Sequence, residues 1–135
     1  MKPRRSFFGL LAALFTTLDA RAQQQRSPAQ VKVLSKEALV GQLAGMESTL
    51  LEVTVPPGKG SAAHRHPGFV MGYVLEGELR FGVNGGAETL VKAGGVFYEP
   101  EGAVHTTGAS ARADAPVKFL AFIVGKQGSQ ISTPV

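Results

Sequence analysis

Two stretches, Gly58-Lys59-Gly60-Ser61-Ala62-Ala63-His64-Arg65-His66 and Gly94-Gly95-Val96-Phe97-Tyr98-Glu99-Pro100-Glu101-Gly102-Ala103-Val104-His105, hold every histidine of this 135-residue chain. His64 and His66 are separated by one residue, so on an extended strand both imidazoles leave the same face, roughly 6 to 7 Å apart along the strand. His105 follows Glu99-Pro100-Glu101-Gly102, a turn-forming run that can aim it back at the same interior. Three neutral imidazoles with open positions beside them are one way to hold a reactive divalent metal. Alone, the His64/His66 pair equally describes surface histidines at a loop edge; the residues around it bear on the choice.

Working outward, short β-type runs alternate with glycine and proline punctuation, the spacing of an all-β sandwich or barrel. Leu51, Val53 and Val55 alternate with Glu52 and Thr54 and end at Pro56-Pro57-Gly58. Phe69 to Leu75 is apolar at nearly every residue, which predicts a strand covered on both faces. Glu76-Gly77-Glu78 turns the chain back, Leu79, Phe81 and Val83 alternate again, and Asn84-Gly85-Gly86 is a hairpin turn. Further strands are expected at Glu88 to Val91, Val96 to Glu99 and Val117 to Val124. Thr107 to Pro116, rich in Ala, Ser and Asp, reads as a surface loop, and Ser35 to Leu43 as a short helix or turn. The expected fold is a small antiparallel β-barrel or jelly roll.

The spacing of the two opening stretches resembles the paired motifs of the cupin superfamily, in its small single-domain, type-2-like form. Gly58, five residues, His64, one residue, His66 and Gly77 eleven residues on resembles the first motif; Gly94, five residues, Pro100, one residue, Gly102, two residues and His105 resembles the second. The motifs and their link cover Gly58 to about Ala109. The resemblance implies a β-barrel with one divalent metal ion in its mouth, held here by His64, His66 and His105. Iron(II) is the preferred ion, with Zn2+, Mn2+ or Ni2+ as alternatives. Two positions depart from the family pattern. Val70 stands where a glutamate is usual, four residues after the second histidine, and Met71 does not replace it; Ala109 stands where an asparagine is often found. The expected site is therefore of three-histidine type unless another residue supplies a carboxylate. An uncompensated +2 charge in an apolar barrel favours an anionic ligand such as a chelating carboxylate or enolate.

Other residues carry weaker expectations. Glu99 is a candidate ligand, histidine-orienting group or catalytic general base, against the alternative of an outward-facing strand end. Tyr73 and Tyr98 are candidates to line a substrate pocket, or else core residues with satisfied hydroxyls. Arg65, between the two histidines, is expected to face outward, and Gly58, Gly77, Gly94 and Gly102 to serve turns.

Composition narrows the function classes. Met1 to Ala22 reads as an export signal: Lys2, Arg4 and Arg5, an apolar stretch from Phe7 to Leu18, and a small-x-small cleavage site at Ala20-Arg21-Ala22. Arg4-Arg5-Ser6-Phe7-Phe8 resembles the twin-arginine motif of bacterial export; an ordinary secretory signal is the alternative. The expected destination is periplasmic or secreted. This twelve-residue stretch is too short to span a bilayer as a helix. Beyond Ala22 ten basic and nine acidic residues remain, a balance without the basic run that nucleic-acid binding needs. The absence of cysteine excludes disulfides, thiolate ligands and a cysteine nucleophile.

The chain therefore divides into an export signal (1–22), a flexible polar lead-in (23–30), a β-barrel domain (31–125) and a C-terminal tail (126–135). The functional expectation is an exported metal-binding protein, an iron(II) dioxygenase or related enzyme acting on a small chelating organic acid. The alternatives are a non-catalytic periplasmic binding module and a structural barrel without metal. A homodimer is expected, with Val31 to Leu34 in the pairing segment.

Overall fold

The computed structural model describes residues 29–135; the expected export signal and cleavage site (1–22) and residues 23–28 of the expected lead-in lie outside the described residues. Ten strands follow in order: β1 (Gln30–Ala38), β2 (Met46–Val55), β3 (His64–Arg65), β4 (Gly68–Glu76), β5 (Glu78–Val83), β6 (Thr89–Lys92), β7 (Val96–Glu99), β8 (Val104–Ser110), β9 (Val117–Lys126) and β10 (Thr133–Pro134). A single 3-10 turn at Gly41–Leu43 is the one helical element among the described residues. Ser35 to Ala38, read as part of a helix or turn, instead continues β1. No described helix is long and apolar enough to cross a membrane.

The strands form two five-stranded sheets, in the orders β1-β2-β9-β4-β7 and β10-β3-β8-β5-β6, with every pairing antiparallel. Alternating side chains from both sheets meet in one core, with Leu51, Val53, Val55, Val70, Val74, Phe97, Phe119 and Ile123 from the first and Leu79 and Phe81 from the second. This two-sheet sandwich is the all-β jelly roll expected from the turn spacing. The β5–β6 connection begins with a turn at Asn84-Gly85, φ 53° and 67°, closed by the Gly86 N–H donating to the Val83 carbonyl at 3.0 Å; two successive left-handed residues favour this Asn-Gly pair.

Two expectations change. Thr107 to Ser110 is not loop: it completes β8, a central strand paired with β3 and β5, with Gly108, Ala109 and Ser110 buried. Its small residues suit close packing, since a Cβ on Gly60 would come within 2.9 Å of the Ala109 Cβ. β4 is not covered on both faces. Val70 and Val74 are buried inside, whereas Met71, Tyr73 and Leu75 are exposed on the outer face. An unbroken apolar run does not by itself reveal how many of its faces are covered.

Candidate metal centre

Antiparallel pairing of β3 with β8 sets His64 directly opposite His105, and the alternation after His64 returns His66 to the same side. The turn before β8 is closed by a hydrogen bond from the Ala103 N–H to the Pro100 carbonyl at 3.1 Å, with Gly102 at φ 77°. That angle is open to glycine and strained for most other residues, so the turn that aims His105 inward depends on it. The ring centroids of His64 lie 4.8 Å from His66 and 4.9 Å from His105. One potential ligand atom from each ring falls within 4.8 Å of the others.

Backbone carbonyls fix the tautomers. Nδ1 of His64 donates to the Ala62 carbonyl at 2.8 Å and Nδ1 of His66 to the Ile131 carbonyl at 2.7 Å. Each Nε2 is then a bare lone pair in the neutral ring, yet the two Nε2 atoms face one another at 3.1 Å. In His105 the roles reverse: Nε2 donates to the Thr107 carbonyl at 2.8 Å, and Nδ1 is buried without a hydrogen-bond partner. Gly108 leaves room for that ring, since a Cβ there would meet His105 Nε2 at 2.9 Å.

Three lone pairs thus converge with no proton between them. Two nitrogens bound to one ion at about 2.0–2.1 Å stand roughly 3.0–3.4 Å apart, so the 3.1 Å contact fits a shared cation better than two neutral rings. The donor set, imidazole held by carbonyl partners on its far side, suits a divalent transition metal.

Glu99 completes the cluster. It is 3 % exposed, not an outward-facing strand end, because the alternation of β7 sends Phe97 and Glu99 inward and Val96 and Tyr98 outward. Its carboxylate oxygens lie 3.3 Å from His105 Nδ1 and 3.7 Å from His66 Nε2. Burial pushes the Glu99 carboxyl up to about 7. Burial, with the neighbouring His64 and His66, pushes the His105 imidazole down to about 4; His66 is lowered for the same first reason. Glu99 is also the register partner of Val70, so a carboxylate faces, across one strand pair, the position where the sequence lacks one.

The two tyrosines are not brought to the site. Tyr73 and Tyr98 are 45 % and 52 % exposed on the outer face of their sheet, one residue out of phase with the inward set. Arg65 faces outward as expected, its guanidinium donating to the Gly102 carbonyl. What the sequence left unassigned is the C-terminal segment. β10 pairs with β3, and Ile131 supplies the carbonyl that holds His66. A backbone acceptor leaves no mark on residue identity.

Beside the imidazoles opens a cavity of about 270 Å3 bordered by Val31, Leu51, Val53, Val55, Phe119 and Ile131 among others.

Residues 51–123 match the family model for the Cupin domain. No curated protein matches the chain. Among solved structures, the chain is similar to an uncharacterized conserved protein with a double-stranded β-helix domain from Klebsiella pneumoniae. The identity is 21%, covering 77% of this chain and 82% of that one, with a TM-score of 0.61. A cupin-like protein from Thermotoga maritima is 23% identical over 75% of this chain and 77% of its own, with a TM-score of 0.56. An oxalate oxidase in complex with the substrate analogue glycolate is 21% identical over 82% of this chain and 58% of its own, with a TM-score of 0.59. At these identities the likeness is one of fold.

Proposed function

The chain belongs to the cupin family, and on that premise we propose that it is an exported protein in which His64, His66, His105 and Glu99 hold one divalent ion, iron(II), for action on a small chelating organic acid. The observation that carries this reading is the convergence of three carbonyl-fixed imidazole lone pairs on one point. An ion bound there supplies Lewis-acid polarisation of a chelating oxygen and, as iron(II), redox chemistry. The protein's own residues set the ligand geometry, and the walls beside them are largely apolar.

Elemental analysis of untagged protein isolated from its own compartment tests the metal. About one iron per chain is expected, and protein that stays metal-free after anaerobic iron(II) loading overturns the reading. Oxygen uptake by the iron(II) form across a panel of chelating acids then tests turnover. The rival reading, a module that binds its acid without transforming it, draws on one observation. Glu99 and the three histidines are the only ionisable side chains bordering the cavity among the described residues, so no separate general base stands ready if Glu99 is a ligand. Metal and acid binding without turnover would establish that rival.

Two accompanying features belong to the same proposal. Export by the Arg4-Arg5 signal predicts that the protein fractionates outside the cytoplasm, and that Arg4→Lys/Arg5→Lys retains it inside. A homodimer is supported by β1, a nine-residue edge strand exposed at every position, Val31 and Val33 included. Light scattering is expected to give twice the chain mass and Val33→Lys to shift it to the monomer; a monomeric parent chain overturns this.

A further inference from the structure

We infer that the cavity beside the imidazoles selects a compact organic anion with one charged, chelating head and a hydrocarbon body, and rejects polyols and acids charged at both ends. The inference rests on the metal reading above and adds the substrate class. Its basis is the distribution of polarity in the wall.

The ionisable side chains bordering the cavity, His64, His66, His105 and Glu99, are clustered around one point. Among the described residues no lysine or arginine borders the cavity, and the polar side chains elsewhere in the wall are the hydroxyls of Ser61 and Ser132. The rest is mostly hydrocarbon: Leu51, Val53, Val55, Phe119 and Ile131 from three parts of the chain, with Phe97 packed on Phe119. A second carboxylate, or a row of hydroxyls, would leave water for this wall without partners, and each unpaired polar group is costly to bury.

Charge points the same way at the other end. An ion of charge +2 held by three neutral imidazoles and one carboxylate keeps one positive charge, which a single anionic head neutralises in surroundings that screen poorly. Size agrees: a cavity of about 270 Å3 suits a compact ligand with a short branched body. Ile131 joins the two ends, since its side chain borders the cavity while its carbonyl holds His66, so a ligand body pressing on this residue meets the metal's own support.

The test uses the full-length chain processed by its host, loaded with cobalt(II), whose visible absorption reports ligands entering the ion's coordination. Three 2-oxo acids with the same chelating head are titrated: 4-methyl-2-oxopentanoate, 5-hydroxy-2-oxopentanoate and 2-oxoglutarate. The branched hydrocarbon acid is expected to bind at least about tenfold more tightly than 2-oxoglutarate, with the hydroxy acid between them. Ser132→Lys, an exposed position in the wall, is expected to raise 2-oxoglutarate affinity at least about fivefold with cobalt binding unchanged. Equal affinities, a preference for 2-oxoglutarate, no response to any of the three acids, or no effect of Ser132→Lys would overturn the inference while leaving the metal reading intact. Failure to bind cobalt at all would instead remove the metal reading on which it rests.

Discussion

One step along β4 and β7 reverses what the sheet presents. Val70 faces Glu99 on the inside; the next pair, Met71 and Tyr98, faces solvent. The usual half-buried sheet keeps its hydrocarbon inside and its charge outside. Here the inner face carries a buried carboxylate and the outer face carries Met71, Tyr73, Leu75, Val96, Tyr98 and Phe122. A carboxylate so placed is costly to the core, since burial disfavours its charged form and raises its pKa to about 7. Its position is intelligible if a cation sits among the imidazoles it touches. The inner face thus carries side chains that could hold an ion, and the outer face carries apolar side chains exposed to solvent.

The sharpest way to break the inner half of this comparison is to remove an imidazole. His105→Ala is expected to weaken divalent-metal affinity more than about a hundredfold, beyond the 10–100-fold typical of losing an outer partner of a ligand. Competition against a chromophoric chelator measures it. Retention of affinity within a few-fold would mean that the ion is held elsewhere.

Moving the carboxylate comes next. Glu99→Val, which removes a proposed ligand, is expected to lower metal affinity at least about a hundredfold, past the range for an outer partner, and to raise the melting temperature of the metal-free protein, because a buried acid is replaced by hydrocarbon. Adding Val70→Glu to that variant returns a carboxylate from the facing position, where directly opposed Cβ atoms are about 4.5–5.5 Å apart. The double variant is expected to recover affinity to within about tenfold of the parent. Recovery would show that either strand of this pair can supply the ligand; its absence, with both variants folded, would assign Glu99 a role other than ligation.

How much of this was legible in the sequence follows from which signals have a period. Alternation at Leu51 to Val55 and Leu79 to Val83, and the Asn84-Gly85 turn, encode strand and hairpin locally, and the fold agrees with them. The His64/His66 spacing encodes a shared face, and the Pro100 to Gly102 turn encodes the return of His105. Tyr73, Tyr98 and Glu99 were ambiguous because Phe69 to Leu75 is apolar throughout and Val96 to Glu99 is short; neither reveals its own phase. Knowing that β7 pairs with β4 in the register Met71↔Tyr98 settles all three, and register is a tertiary fact. The small residues of β8 read as loop because close packing and turn formation both favour them. Ile131 was invisible because it acts through its backbone.

The inner face also offers a purely steric test. Gly72 lies opposite Phe97, and a Cβ at Gly72 would overlap the Phe97 ring, which packs in turn on Phe81 and Phe119. Gly72→Ala is expected to destabilise the fold by about 1–3 kcal/mol, the range for overpacking a filled core. At about 4–8 °C per kcal/mol for a domain near this size, the melting temperature falls by several degrees or more. An unchanged melting temperature would show that the ring has room to move and that the inner face is looser than its burial implies.

The smallest effect is expected where the sequence looks most hydrophobic. Met71→Lys/Tyr98→Glu places an opposite-charge cross-strand pair on the outer face, with neither side chain among those bordering the cavity. Metal affinity is expected to stay within about twofold and the melting temperature of the isolated chain within a few degrees, because exposed substitutions away from special features shift stability by about 0.5 kcal/mol or less. A larger loss of stability that appears only above a threshold protein concentration would sharpen the comparison. It would mean that the apolar side chains of the outer face are covered in an assembly.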